Sequence, residues 1–264
     1  MSAAAPVQSR PFPQTALRLG ALLFPLIMAG CMASAPPQPQ VPRIDPAYLA
    51  MYGEQPDELH PIPPTDISEV DPRFLRREVA YNGPERPGTI VVDTGARYLY
   101  LVRENGRAVR YGIGVGKAGL AWSGRASVGR KAPWPRWTPT AAMIKREPER
   151  NAPWAGGMAA GLENPLGARA LYLYDGGRDT MYRIHGTSEP WSIGENVSSG
   201  CIRLFNQDII DLYNRVPVGA PVVVLNAPDA ETFESAPFQS GPFDPPPPKP
   251  VPFEPEPRPR RIFY

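Results

Sequence analysis

Cys201 and His185 are the side chains here that together could perform nucleophilic catalysis, because a thiol attacks a carbonyl only once a base or a positive field takes its proton. Cys201 sits in Asn196-Val197-Ser198-Ser199-Gly200-Cys201-Ile202-Arg203-Leu204, a small polar turn whose successive backbone N–H groups can converge on an oxygen. His185 ends the strand-like run Met181-Tyr182-Arg183-Ile184-His185, where a side chain can face a cleft. The bland alternative for each is a buried structural thiol and a hydrogen-bonded core imidazole. The chain has only two Cys (Cys31, Cys201) and two His (His60, His185), so it lacks the close Cys/His pairs of a structural zinc site, and no metal is expected. Both histidines precede Cys201, whereas papain-like enzymes place Cys first.

The elements that must position this pair read as mostly β. Thr89–Asp93 and Tyr98–Val102 form a predicted hairpin, and Asn105-Gly106 turns the chain into a further strand over 108–115. Leu171–Tyr174, the turn Asp175-Gly176-Gly177 and Met181–His185 make another hairpin, and Pro221–Leu225 a last strand. One helix stands out after Cys201, capped by Asn206, with Ile209, Ile210, Leu212, Tyr213 and Val216 on its apolar face. The expected architecture is a β-sandwich or barrel with that single conspicuous helix. The Trp-, Pro- and Gly-rich stretch from Trp122 to Gly167 reads as long functional loops. Gly112-Ile113-Gly114-Val115-Gly116-Lys117 imitates a phosphate loop, but Lys117 and Ala118 spoil both versions of the motif, and no cofactor is expected. These glycines read instead as places where backbones approach closely.

Composition bounds the rest. With 28 Lys+Arg against 26 Asp+Glu, the net charge of +2 gives no argument for nucleic acid. Of 264 residues 37 are Pro, far above the usual ~5%, and they crowd both ends. Within Leu17–Cys31 an apolar run of about a dozen residues follows the basic Arg10 and Arg18; it is shorter than the ~20 residues of a membrane span and reads as an export signal over 1–30. Met28-Ala29-Gly30-Cys31 resembles a lipobox with Cys31 as the lipidated residue; a cut after Ala33-Ser34-Ala35 is the rival, obstructed by Pro36. From 31 to 80 a Pro-rich tether is expected, unpacked to about Pro72, with a reach of roughly 35 Å for some 40 residues. The compact domain follows over 81–226, and a solvated Pro-rich tail, or a partner ligand, over 227–264.

His185-Gly186-Thr187 together with Ser198-Ser199-Gly200-Cys201-Ile202-Arg203-Leu204 resembles the signature of the L,D-transpeptidase family, the YkuD-type catalytic domain. The runs TIVVDTGARYLYLV, ASVGRKAPWPRWTP, QDIIDLY and GAPVVVL are similar to it as well, so the likeness covers about Thr89 to Leu225. Ser199 stands where the family commonly has His.

The resemblance implies cysteine acyl transfer on peptidoglycan stem peptides. Cys201 would be the nucleophile, His185 the general base, and the Gly186 carbonyl the group orienting the imidazole. Backbone N–H groups of Gly200 and Cys201, with Ser199, would hold the oxyanion. Arg203, Tyr182 and Ser198 are candidates for substrate contact; Arg203 suits a loop-ordering salt bridge equally, and Tyr182, Trp137 and Trp154 suit packing. The acceptor, a second stem, an envelope protein or water, stays open. Cys31, followed by Met32, implies a periplasmic domain anchored to the outer membrane of a Gram-negative bacterium. The rival from another class is a non-catalytic wall-binding lipoprotein.

Overall fold

The computed structural model describes residues 44–116, 122–198 and 200–225; the export segment, Cys31, Ser199 and the tail from 227 lie outside them. In chain order the strands are β1 (Arg77–Ala80), β2 (Ile90–Asp93), β3 (Tyr98–Arg103), β4 (Arg107–Gly112), β5 (Val115–Gly116), β6 (Gly124–Pro133), β7 (Arg169–Asp175), β8 (Arg178–His185), β9 (Asn196–Ser198), β10 (Ile202–Arg203) and β11 (Pro221–Leu225). The helices are α1 (Pro46–Met51), α2 (Ala141–Arg146), α3 (Pro148–Asn151) and α4 (Asn206–Arg215). Both predicted hairpins form, and so does the turn from β3 into β4. Asn105 and Gly106 (φ 60° and 63°) and Gly176 and Gly177 (φ 53° and 81°) each put two successive residues in the left-handed region, the turn whose twist matches antiparallel strands.

Nine strands make one sheet in the order β1-β4-β3-β2-β11-β6-β7-β8-β10. The last strand enters its middle, parallel to β2 and antiparallel to β6. Ile90, Val92, Leu99 and Leu101 from one half of the sheet share a buried cluster with Leu171, Leu173 and Ile184 from the other, so the sheet folds over a single core. Paired main-chain hydrogen bonds of 2.9 Å between Gly114 and Arg203 tie the chain leaving β4 to β10. A side chain on Gly114 would meet the Ser192 carbonyl at 2.4 Å. That is the close approach expected of the glycine cluster.

Helix α4 adds Ile209 and Leu212 to the core, while Ile210 turns to a second cluster with Ile62, Trp134 and Ala168. Lys131 of β6 donates to the carbonyls of Tyr213 (2.6 Å) and Val216 (2.7 Å), placing a cation at the negative end of the helix.

Two expectations need correction. The unpacked tether does not extend over residues 44–72, because Tyr52, Ile62 and Ile67 are buried there, as are Phe74 and Leu75 just beyond. Their spacing follows no helix or strand period: Tyr52, Ile67, Phe74 and Leu75 meet in one cluster with Tyr98, Ile193 and Phe205, Ile62 joins Trp134 and Ala168, and Asp45 and Asp71 cap short Asp-Pro turns. Gln207 of α4 donates to the carbonyls of Tyr52, Gly53 and Pro63, and Glu58 grips the buried Arg169 (2.5 Å). This segment is a strap on the domain. The stretch from Trp122, expected as loop, begins with the ten-residue strand β6 at Gly124. Two glycines, three basic residues and a terminal proline hide it from any alternation rule.

Candidate active site

The sheet register puts the predicted pair on one face. In β8 and β10, running parallel, Ile202 pairs with Ile184 and Arg203 with His185. Side chains alternate along a strand, so Ile184 and Ile202 point into the core while His185 and Arg203 point outward, with Cys201, two positions before Arg203, on the same outer face. Two cross-strand rows result. One runs Ala132, Ala170, His185, Arg203; the next runs Arg130, Tyr172, Arg183 and ends beside Cys201.

His185 is 4% exposed. Its Nδ1 lies 2.6 Å from the Gly186 carbonyl, an acceptor, which fixes the proton on Nδ1 and leaves Nε2 as the basic nitrogen. Asn206 secures this corner: its Oδ1 accepts from Ala168 N (3.0 Å) and its Nδ2 donates to the Thr187 carbonyl (2.9 Å). The expectation that Asn206 caps α4 is thereby corrected. Phe205 occupies the cap position, and the Asn206 amide has left the helix to pin the two segments around Gly186. A side chain on Gly186 would meet Asn206 Oδ1 at 2.2 Å.

Cys201 is a half-buried thiol outside any disulfide. Gly200 before it is buried and takes φ 121°, a conformation that L side chains rarely adopt. Burial pushes the thiol pKa up, opposed by a hydrogen bond from the Arg183 backbone and by the charges of Arg183 and Arg203. Burial also drives the His185 pKa down to about 3; Arg203 and Arg183 add to this, and the Gly186 carbonyl resists it. At neutral pH the pair therefore rests as neutral thiol and neutral imidazole, between two guanidinium groups that favour negative charge on sulfur.

Arg203 Nη1 donates to Glu189 Oε2 (2.7 Å), and Glu189 Oε1 accepts from Arg150 of α3 (2.8 Å). The insertion carrying α2 and α3 is thus latched to the residue paired with His185. Tyr182, half-buried, packs against the core cluster and stacks on Trp122 at 5.7 Å. Trp137 joins a main-chain bridge to Met158, and Trp154 is 41% exposed in the turn after α3. Ser198 ends β9, paired with Gly116. His60 lies in the strap, edge-on to Trp134. Arg183, Arg130, Tyr172 and Glu189 were not singled out from sequence. Arg183 was findable, standing two residues before His185 in a strand.

A family model for the L,D-transpeptidase catalytic domain matches residues 87–224. The Probable L,D-transpeptidase YbiS of Escherichia coli (strain K12) is 36% identical over 151 residues, covering 56% of this chain and 47% of that protein. The chain thus spans about half the length of this curated relative. A solved Brucella melitensis structure, described as a probable carnitine operon oxidoreductase, is 49% identical, covering 61% of this chain and 99% of that one at a TM-score of 0.42. An L,D-transpeptidase structure from Mycobacterium smegmatis is 22% identical, covering 52% and 58%, at a TM-score of 0.40.

Proposed function

Since the chain belongs to the L,D-transpeptidase (YkuD) catalytic-domain family, we propose that it transfers the acyl group of a peptidoglycan tetrapeptide stem through a thioester on Cys201. The observation that carries this reading is the register of β8 and β10, with His185 and Cys201 on one outer face and His185 Nδ1 committed to the Gly186 carbonyl.

In the first half-reaction the Cys201 sulfur bonds to the carbonyl carbon of the third stem residue as His185 Nε2 takes the thiol proton. The tetrahedral oxyanion is held by backbone N–H groups of Gly200 and Cys201, and Ser199 is assigned the same role from its place in the turn. Collapse breaks the peptide bond to the terminal D-alanine, whose nitrogen leaves with the proton from His185. In the second half-reaction an acceptor amine loses its proton to His185 and attacks the thioester carbonyl. The sulfur departs and is reprotonated. No third side chain is required, since a main-chain carbonyl orients the base. Arg203, held by Glu189, is assigned to ordering the loop. The same proposal takes the domain to be periplasmic and lipid-anchored through Cys31, a reading supported by the export-like segment ahead of it; no described helix is long and apolar enough to cross a membrane.

The test is to incubate the purified protein with disaccharide-tetrapeptide and follow products by mass spectrometry. D-Alanine release with a cross-linked dimer is expected. Tripeptide alone marks water as the acceptor, and unchanged substrate marks a binding role and overturns the proposal.

The buried imidazole makes a second prediction. A base with a pKa of about 3 stays neutral as pH falls through the ordinary histidine range and loses function only when protonated near that value. Acylation kcat/KM should run level from about pH 5 to about pH 8, without a break near the usual ~6.5. An acid limb centred between about 6 and 7 contradicts this.

A further inference from the structure

We infer that Arg130, Tyr172 and Arg183 form a platform beside Cys201 that binds a free carboxylate of the acyl-donor peptide; the inference rests on the donor reading above. The three occupy one cross-strand row, on β6, β7 and β8, and Cys201 flanks its Arg183 end. The guanidinium carbon of Arg130 lies 3.5 Å, and that of Arg183 4.4 Å, from the Tyr172 ring centroid, so one ring face system carries two cations.

Only one of the two is neutralised. Asp179 grips Arg183 through both terminal nitrogens (2.7 and 2.8 Å). Four residues of regular strand would separate them by about 13 Å. The register shift in β8 opposite Tyr172 and Tyr174, with Met181 at φ 64°, folds Asp179 back within reach. Arg183 is thereby fixed. Arg130 is exposed and forms no salt bridge with a described residue, though its charge acts on Asp179 at longer range.

A second register shift, at Gly129, sets the direction of Arg130: a side chain there would strike the Tyr174 ring at 2.2 Å. The row therefore presents a net positive charge, with a planar fork open toward solvent, on the face where the peptide must lie. Arg203 in the neighbouring row is already occupied by Glu189. From Arg183 to Cys201 is one strand spacing and from Arg130 three, roughly 14 Å. A carboxylate on the side chain of the attacked residue, or on the leaving residue, falls within that span.

Binding to the Cys201→Ala protein, followed by calorimetry, separates these sources. Three tetrapeptides with a third residue bearing a side-chain carboxylate are compared: unmodified, amidated at the C-terminus, and amidated at that side chain. One amide is expected to bind about 10-fold more weakly, which identifies the carboxylate. Arg130→Gln should weaken the unmodified peptide to the same level and leave that amide unaffected. Arg130→Lys, which keeps the charge and loses the fork, should fall between. Equal losses on all three peptides, or no loss, overturn the platform. Turnover by protein with Cys201 intact is scored separately: no D-alanine release, with Arg130-dependent binding preserved, sinks acyl transfer and leaves the platform standing.

Discussion

Cys201→Ala is expected to abolish the thioester adduct and to lower D-alanine release by at least about 10⁴-fold, the scale on which nucleophile removal acts in acyl-transfer enzymes. The substitution removes one sulfur from a half-buried turn residue, so the loss should appear in chemistry rather than folding. The buried neighbours on either side, Gly200 and Ile202, are untouched. His185→Ala serves as the contrasting arm. It deletes the proton acceptor yet keeps Arg183 and Arg203 near the sulfur, so the adduct should still form, more slowly. The measurement is intact-protein mass spectrometry across a time course with tetrapeptide. An adduct on the Cys201→Ala protein refutes the nucleophile assignment.

Glu58→Ala should cost about 3–5 kcal/mol of stability, the usual effect of removing one member of a buried ion pair. Arg169 is among the most deeply buried large side chains, and Glu58 approaches both of its terminal nitrogens while accepting from Trp134 Nε1 (2.9 Å). Removing the carboxylate strands charge in the interior and unfastens the strap from β7 and from Trp134, just past β6, together. Against a total stability of about 5–15 kcal/mol this is a large fraction. Urea unfolding of the full chain would register it as a lower midpoint at similar slope. A loss under about 1 kcal/mol would mean that the strap merely rests on the domain. The site should also feel it, since Gly186 N bonds to the Arg169 carbonyl (3.0 Å).

Much of the half of the sheet that carries His185 was legible in the sequence, because its strands carry alternating β-branched and aromatic residues between turns that only Asn and Gly form easily. Tyr172, Ile184 and His185 could each be put on a strand before any coordinates. What stayed hidden depended on non-local partners. Gly129 and Pro133 disguise β6, which is defined by its neighbours β11 and β7 rather than by its own composition. Tyr52 and Ile62 looked like stray apolar residues in a Pro-rich run, since much of the surface that buries them comes from distant residues, Ile193 and Phe205 for the one, Trp134, Ala168 and Ile210 for the other. Asn206 has the right identity for a helix cap, and only the fold diverts its amide to Ala168 and Thr187. Asp179 could not be linked to Arg183 without the irregularity that folds the strand between them.

The carbonyl that steers the imidazole belongs to the main chain, and this changes how the site can fail. Any amino acid encoded at position 186 would still supply a C=O, so no codon change deletes the orienting group outright. Damage must come through the path of the peptide, by crowding the amide of Asn206, which leaves no room for a methyl. Inactivating variants of this base should therefore map to bulk at glycines and to loss of an asparagine, an inheritance pattern unlike that of enzymes whose histidine leans on an aspartate.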